Sequence, residues 1–167
     1  MLPLEGIRVI DWTIWQQGPV ATAMLGDLGA DVIKLEDRIS GDPGRGIMTI
    51  YGAPMTGPAG RNYYFEYNNR NKRGITLDLR KPKGKEIVYR LVESSDVFVQ
   101  NFLKGVAERL GLDYATLSRY NPKLIYATGS GYGRKGPESG DPSFDYLAQA
   151  RSGIMTNQVE PGLTPMY

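Results

Sequence analysis

Apolar and polar positions along this chain fall into short buried-looking runs separated by helical repeats. From Ile7 to Trp12 the run is apolar and rich in β-branched residues, the pattern of a buried strand. Gly18 and Pro19 interrupt it, and proline suits the first turn of a helix, where its missing N–H costs nothing. Val20, Ala21, Met24, Leu25 and Leu28 then recur at helical spacing, which predicts one apolar helix face. Gly29 suits the C-terminal stop, and Asp31 to Glu36 reads as a second strand. Strand, helix and strand in about thirty residues form a βαβ unit with parallel strands.

The composition changes after Glu36. Residues 37–60 are dense in Gly and Pro and are expected as a long surface loop. The segment 62–67, NYYFEY, fits a short helix or a strand equally. A polar turn over 68–74 leads into a third predicted strand, Ile75 to Leu79. Pro82 opens a helix with Ile87, Val88, Leu91 and Val92 on one face, ending near Ser95. Val97 to Val99 is a fourth strand, followed at once by Gln100, Asn101 and Phe102. Gly105 to Leu110 is a short helix, and Asp113 caps another in which Tyr114 and Leu117 face inward. Leu124 to Thr128 is a fifth strand, residues 129–141 are a second Gly-rich loop, and Phe144 to Ser152 reads as a helix stopped by Gly153. The last dozen residues read as loop.

Five strands separated mainly by helices predict an α/β fold, a doubly wound parallel sheet of Rossmann-like type. Ligands of such sheets bind beyond the carboxyl ends of the strands. Those ends carry Arg38, Arg45, Lys72, Arg73, Arg80, Lys104, Arg109, Arg134 and Lys135. A positive rim over a crevice suits a ligand with several phosphates, although solvated charged loops have the same composition.

Bulk composition narrows the chemistry. The chain has 167 residues, 41% hydrophobic and 23% charged, the balance of a globular domain with a real core. No apolar run approaches the ~20 residues that span a membrane, and the start lacks a signal-peptide layout, so a cytoplasmic protein without membrane association is expected. A net charge of +2 is too weak to suggest nucleic acid. There is no cysteine, which excludes disulfides, thiolate catalysis and Cys-type metal sites, and no histidine, which excludes a Ser-His-Asp triad. Oxygen-only metal sites stay open, but no loop has calcium-binding spacing and no metal is expected. The turn Gln16-Gln17-Gly18-Pro19 has neither GxGxxG nor a Walker lysine; read alone it is a strand-to-helix turn. Phe102 suits base stacking or the core, Tyr132 lies between two glycines, and Asp145 suits a helix N-terminus.

Together these segments resemble the class III CoA-transferase family, the group of formyl-CoA and carnitine CoA-transferases and α-methylacyl-CoA racemases. The resemblance rests on LEGIRVIDWT, the Gln16/Gly18-Pro19 turn, LGDLGADVIKLE followed by SGD, NKRGITLDLR, DVFVQNF with Arg109-Leu110-Gly111, NPKLIYATGSGYG and FDYLAQARSGIM, in that order along the chain. It implies that a coenzyme A thioester is a substrate, with no tightly bound cofactor, and that CoA lies across the strand ends. By matching positions, Gln16 sits near the reacting thioester. Arg38, Leu77, Asp78, Leu79, Arg80, Asn101, Phe102 and Arg109 hold the nucleotide and phosphates, joined by Tyr132 on its loop. Phe144 and Asp145 line the active site, with Asp145 in a supporting catalytic role.

The family mechanism uses an aspartate nucleophile and an aspartyl-acyl anhydride, needing neither His nor Cys. The resemblance places that aspartate beyond Tyr167, together with a second, smaller domain. Residues 1–167 are therefore expected to be an incomplete CoA-binding α/β domain, the N-terminal portion of an enzyme that forms an interlocked homodimer. Racemases of the family place a His where Phe144 stands, so CoA transfer from an acyl-CoA to a carboxylic acid leads over racemisation. A catalytically inactive CoA-binding or assembly piece is the other alternative.

Overall fold

A computed structural model of the chain describes residues 1–160 and 162–164. The chain divides into two compact units, Met1–Gly129 and Ser130–Tyr167.

The first unit begins with strand β1 (Arg8–Trp12), helix α1 (Gln17–Asp27) and strand β2 (Asp31–Asp37). Helix α1 starts two residues before Pro19, which still lies in the first turn, where no N–H is needed. Gly29 takes φ +103 just past the helix end, the left-handed stop expected of it. The segment expected as an unstructured loop contains a 3-10 turn at Pro43–Gly46, a hairpin of β3 (Thr49–Ile50) and β4 (Ala53–Pro54), and a second 3-10 turn at Pro58–Gly60. The open choice over 62–67 resolves as a helix, α2 (Tyr63–Asn69), because Asn62 accepts the Phe65 N–H at 2.8 Å and caps its start.

Strand β5 (Lys72–Leu77) begins earlier and ends earlier than the sequence suggests, leaving Leu79 outside it. Its polar start pairs with β2, Val32 opposite Lys72, because Lys72 turns inward to ion-pair. Helix α3 (Pro82–Glu93), strand β6 (Val97–Gln100), short helices α4 (Val106–Leu110) and α5 (Tyr114–Leu117) and strand β7 (Ile125–Thr128) complete this unit. Asp113 caps α5, accepting the Thr116 N–H at 3.1 Å as expected. Leu117 is buried, but Tyr114 is exposed.

The main sheet has five strands in the order β5-β2-β1-β6-β7, every pair parallel. The chain therefore winds outward from β1 to β5, then returns to the far side of β1, so the order reverses between β1 and β6. Alternate side chains separate two cores. Ile10, Trp12, Ile33, Leu35 and Phe98 pack with Val88 and Val92 of α3 and Leu117 of α5. Val9, Val32 and Val99 pack on the opposite face with Leu25 of α1.

The face of α1 is not the one its hydrophobic spacing predicts. Gly18, Pro19, Thr22 and Ala23 are buried, whereas Met24 is 56% exposed and Leu28 46%. Small residues allow close approach to the sheet, and Thr22 turns inward because its hydroxyl reaches the carboxylate of Asp11 at 2.8 Å.

The second unit holds helices α6 (Asp145–Ser152) and α7 (Ile154–Asn157). The expected terminal loop is therefore helical at residues 156 and 157, irregular over 158–160 and 162–164, and at residues 161 and 165–167 it lies outside the described residues.

Candidate functional site

The reversal between β1 and β6 brings two strand ends side by side: Thr13 to Gln16 after β1, and Asn101-Phe102 after β6. Crevices of this kind are where doubly wound sheets bind ligands. A cleft of about 410 Å³ opens at this edge, within the usual range for small-molecule sites. It is lined from β1 by Trp12 and Ile14, from the end of β2 onward by Leu35 to Asp37 and Ser40 to Pro43, from the end of β5 by Leu77 to Arg80, and beyond β6 by Phe102, Val106, Arg109 and Leu110. Six of the residues expected to hold a nucleotide, Leu77, Asp78, Leu79, Arg80, Phe102 and Arg109, thus share one cavity.

Its floor is aromatic. The rings of Trp12 and Phe102 lie 4.3 Å apart between centroids, tilted by 33°. Its charges are mostly spent on the protein itself. Asp78 accepts from the Arg80 guanidinium at 2.8 Å, and that contact holds the Asp78 carboxyl below its ordinary range. Asp37 accepts the N–H groups of Ser40 and Ile39 at 2.9 and 2.8 Å, which lowers its pKa and folds the turn after β2. Burial would raise the pKa of Glu36, but bidentate bonds from Arg45, both at 2.8 Å, outweigh it and lower it. Asp42 is buried and ion-paired with Lys34 at 2.9 Å. Arg109, by contrast, has no ion-pair partner among the described residues. An aromatic-apolar floor beside an uncommitted guanidinium suits a ligand that joins a flat ring to phosphate.

The remaining expected residues fall elsewhere. Arg38 is exposed directly after β2 and does not line the cleft. Asn101 spends its amide on the backbone of Ile14: its Nδ2 donates to the Ile14 carbonyl at 2.8 Å, and its Oδ1 accepts the Ile14 N–H at 2.9 Å. Gln16 is exposed at the N-terminal cap of α1 and makes no capping bond. In the second unit, Tyr132 lies under the guanidinium of Arg151, 4.8 Å from ring centre to carbon. There Asp145 is exposed in the first turn of α6 and accepts from Gln149 at 2.7 Å. Phe144 is the exposed cap residue of that helix.

Two members of the expected positive rim do not belong to it. Lys72 and Arg73 begin β5 rather than end it. Arg73 bonds Asp31 at the start of β2, at 2.6 Å. Lys72 is sealed inside, where its Nζ meets Asp11 Oδ2 at 2.8 Å, the Pro19 carbonyl at 2.8 Å, the Asn69 Oδ1 at 2.9 Å and the Asn68 carbonyl at 3.0 Å. Burial lowers its pKa to about 8, partly offset by Asp11, so it stays cationic at neutral pH.

Sequence reasoning missed the buried polar groups around Asp11, Lys34 and Asp42. The available signal was Lys34 and Glu36 alternating with apolar residues in a strand expected to be buried on both faces. Such a pattern requires an internal partner for each charge.

Residues 4–167 match the sequence profile described as CoA-transferase family III. The chain is 42% identical to the succinate–glutarate CoA-transferase of Agrobacterium fabrum (strain C58 / ATCC 33970), covering 98% of this chain and 41% of that protein. It is 41% identical to the acetyl-CoA:oxalate CoA-transferase of Acetobacter aceti, covering 92% of this chain and 38% of the relative. Among solved structures, a CAIB/BAIF family protein from Brucella suis superposes with a TM-score of 0.89 at 39% identity, covering 99% of this chain and 43% of that one. The chain belongs to CoA-transferase family III, and it spans about two-fifths of the length of these relatives.

Proposed function

We propose that this chain binds an acyl-CoA thioester at the strand-end cleft and serves CoA transfer from that thioester to a carboxylic acid. The observation that carries the reading is the cleft itself, with the Trp12–Phe102 floor beside Arg109, which has no ion-pair partner among the described residues, at the point where the sheet order reverses. Family membership and the transferase names of the two relatives support it. The adenine ring stacks on the aromatic floor, and a phosphate meets Arg109, aided by Arg80. Gln16 lies beside the thioester and donates its amide to the carbonyl oxygen as charge develops there.

Chemistry begins when an aspartate carboxylate attacks the thioester carbonyl and expels the CoA thiolate, leaving an aspartyl-acyl anhydride. The thiolate returns to the aspartyl carbonyl and releases the donor acid. The acceptor carboxylate then attacks the aspartyl thioester, and the same thiolate collects the new acyl group and frees the aspartate. The carboxylates lining the cleft are committed: Glu36 to Arg45, Asp37 to its turn, Asp42 to Lys34 and Asp78 to Arg80. This supports a nucleophile supplied from outside the cleft lining. The working protein is a cytoplasmic interlocked homodimer, as membership of the family suggests, and no described helix is long and apolar enough to cross a membrane.

The absence of histidine favours transfer over racemisation. The test is calorimetric titration of CoA together with a donor–acceptor assay using an acyl-CoA and a dicarboxylic acid. Binding with transfer to the acid supports the reading. No CoA binding, or exchange of the α-proton without transfer, overturns it.

A further inference from the structure

Four consecutive polar groups of the backbone after β1 are each held by a side chain from another part of the fold. The Thr13 carbonyl accepts from Lys34 Nζ at 2.9 Å. The Ile14 N–H and carbonyl are both taken by the Asn101 amide, at 2.9 and 2.8 Å. The Trp15 N–H donates to Asp42 Oδ1 at 3.2 Å. These partners come from β2, from the turn after β6 and from the turn after β2 respectively.

The residue at the end of this clamp is unusual. Trp15 has φ +66, the left-handed region that a bulky side chain adopts only when its surroundings impose it. Two of the holding groups are themselves buried charges: Lys34 is 2% exposed and Asp42 1%, and they ion-pair at 2.9 Å. A buried ion pair is a weak source of stability but a strong determinant of local geometry, because each charge must keep its partner. Asp42 is fixed in turn, its Oδ1 accepting the Gly44 N–H at 2.8 Å and its own N–H donating to Glu36 at 3.0 Å. Immediately after the strained residue comes Gln16, whose side-chain amide has no hydrogen-bond partner among the described residues.

We propose that Lys34, Asp42 and Asn101 are positioning residues that hold the Thr13–Trp15 backbone in a strained form and thereby set the place of the Gln16 amide. This rests on the reading of Gln16 as the residue beside the thioester. It assigns Asn101 a different task from contacting the nucleotide, since both ends of its amide are already occupied by Ile14. Loosening any one of the three lets Trp15 relax toward an ordinary φ, and Gln16, one residue on, moves with it. Ground-state binding through Arg109 and the aromatic floor is left unchanged.

The test uses Lys34→Met and Asn101→Ala in the protein, with Val92→Ala, a change in the opposite core, as a destabilised control. Three quantities are read: CoA affinity by calorimetry, kcat, and quenching of tryptophan fluorescence by iodide. Only two tryptophans are present, and Trp12 is buried, so the quenchable fraction reports Trp15. Expected are a tenfold or greater fall in kcat with CoA affinity held within threefold, and a changed Trp15 quenching constant, in both positioning variants and not in Val92→Ala. In a Gln16→Ala background, Asn101→Ala is expected to cost no further turnover, because the two act as one unit. Additive losses, or quenching identical to that of Val92→Ala, overturn the proposal. If the unaltered protein binds no CoA, the functional reading fails instead, and the quenching result still decides whether these residues hold the turn.

Discussion

Lys72 Nζ and Asp11 Oδ2 stand 2.8 Å apart with both side chains sealed from solvent. Asp11 also accepts from Thr22 at 2.8 Å and from the Thr13 hydroxyl, so one carboxylate joins the end of β1 to the middle of α1 and the start of β5. The pair is bonded to both flanks of the turn that carries Gln16, Asp11 to the Thr13 hydroxyl and Lys72 to the Pro19 carbonyl.

Its pH response has a definite sign. Burial lowers the Lys72 pKa from 10.5 to about 8 in the folded chain. Between those values the unfolded chain holds the proton and the folded chain does not, so the contribution of this group to stability rises with pH across that window. The full swing is on the order of 3 kcal/mol. Urea unfolding of the protein and of Lys72→Met from pH 7 to 10.5 is expected to show the difference moving in favour of lysine above pH 8. A constant difference contradicts the lowered pKa.

Thr22→Val keeps the shape of the side chain and removes the hydroxyl that serves Asp11. Leaving a buried carboxylate oxygen short of a donor costs about 1–3 kcal/mol. Thr22→Ser, which keeps the donor, is expected to lose clearly less in the same denaturation experiment.

Gly18→Ala tests how tightly the strand-to-helix turn is packed. A Cβ at residue 18 would lie 2.5 Å from the Thr13 Cβ, well inside van der Waals contact. Overpacking of this kind costs about 1–3 kcal/mol. The expected outcome is a lower melting temperature together with reduced turnover, because the turn shifts. A fully stable, fully active variant would show that Thr13 has room to move.

Arg109→Ala is expected to weaken CoA binding by about tenfold to a hundredfold, the loss of charge-assisted bonds of roughly 1.5–3 kcal/mol. The effect is expected to be larger at low ionic strength, where screening is weaker. Arg80→Ala is expected to cost less, because Asp78 already neutralises that guanidinium at 2.8 Å. Calorimetry over a salt series separates the two, and equal losses would put Arg80 in the site on the same footing.

Much of this was legible from residues alone. The alternation of β-branched runs with helical repeats located the five main strands, the strand-end rule pointed to Leu79, Arg80, Phe102 and Arg109, and the family resemblance added Leu77 and Asp78; all six share the cleft. The errors have a common physical origin. Hydrophobic spacing put Met24 and Leu28 inside α1, whereas the buried face is small and polar because Asp11 needs the Thr22 hydroxyl. Lys72 and Arg73 counted as rim cations because a charged residue is ordinarily solvated, yet Lys72 is consumed by Asp11 and Arg73 by Asp31. Asn101 was visible as an amide at a strand end, but its partner, Ile14, is 87 residues away, and no local pattern encodes such a pairing.

The most direct test of the central claim is a crystal structure of the protein with CoA bound. The account predicts the adenine ring against Trp12 and Phe102 and a phosphate oxygen within hydrogen-bond distance of the Arg109 guanidinium, with the Ile14–Asn101 bonds unchanged. A CoA molecule bound at another face, with this cleft empty, would contradict it.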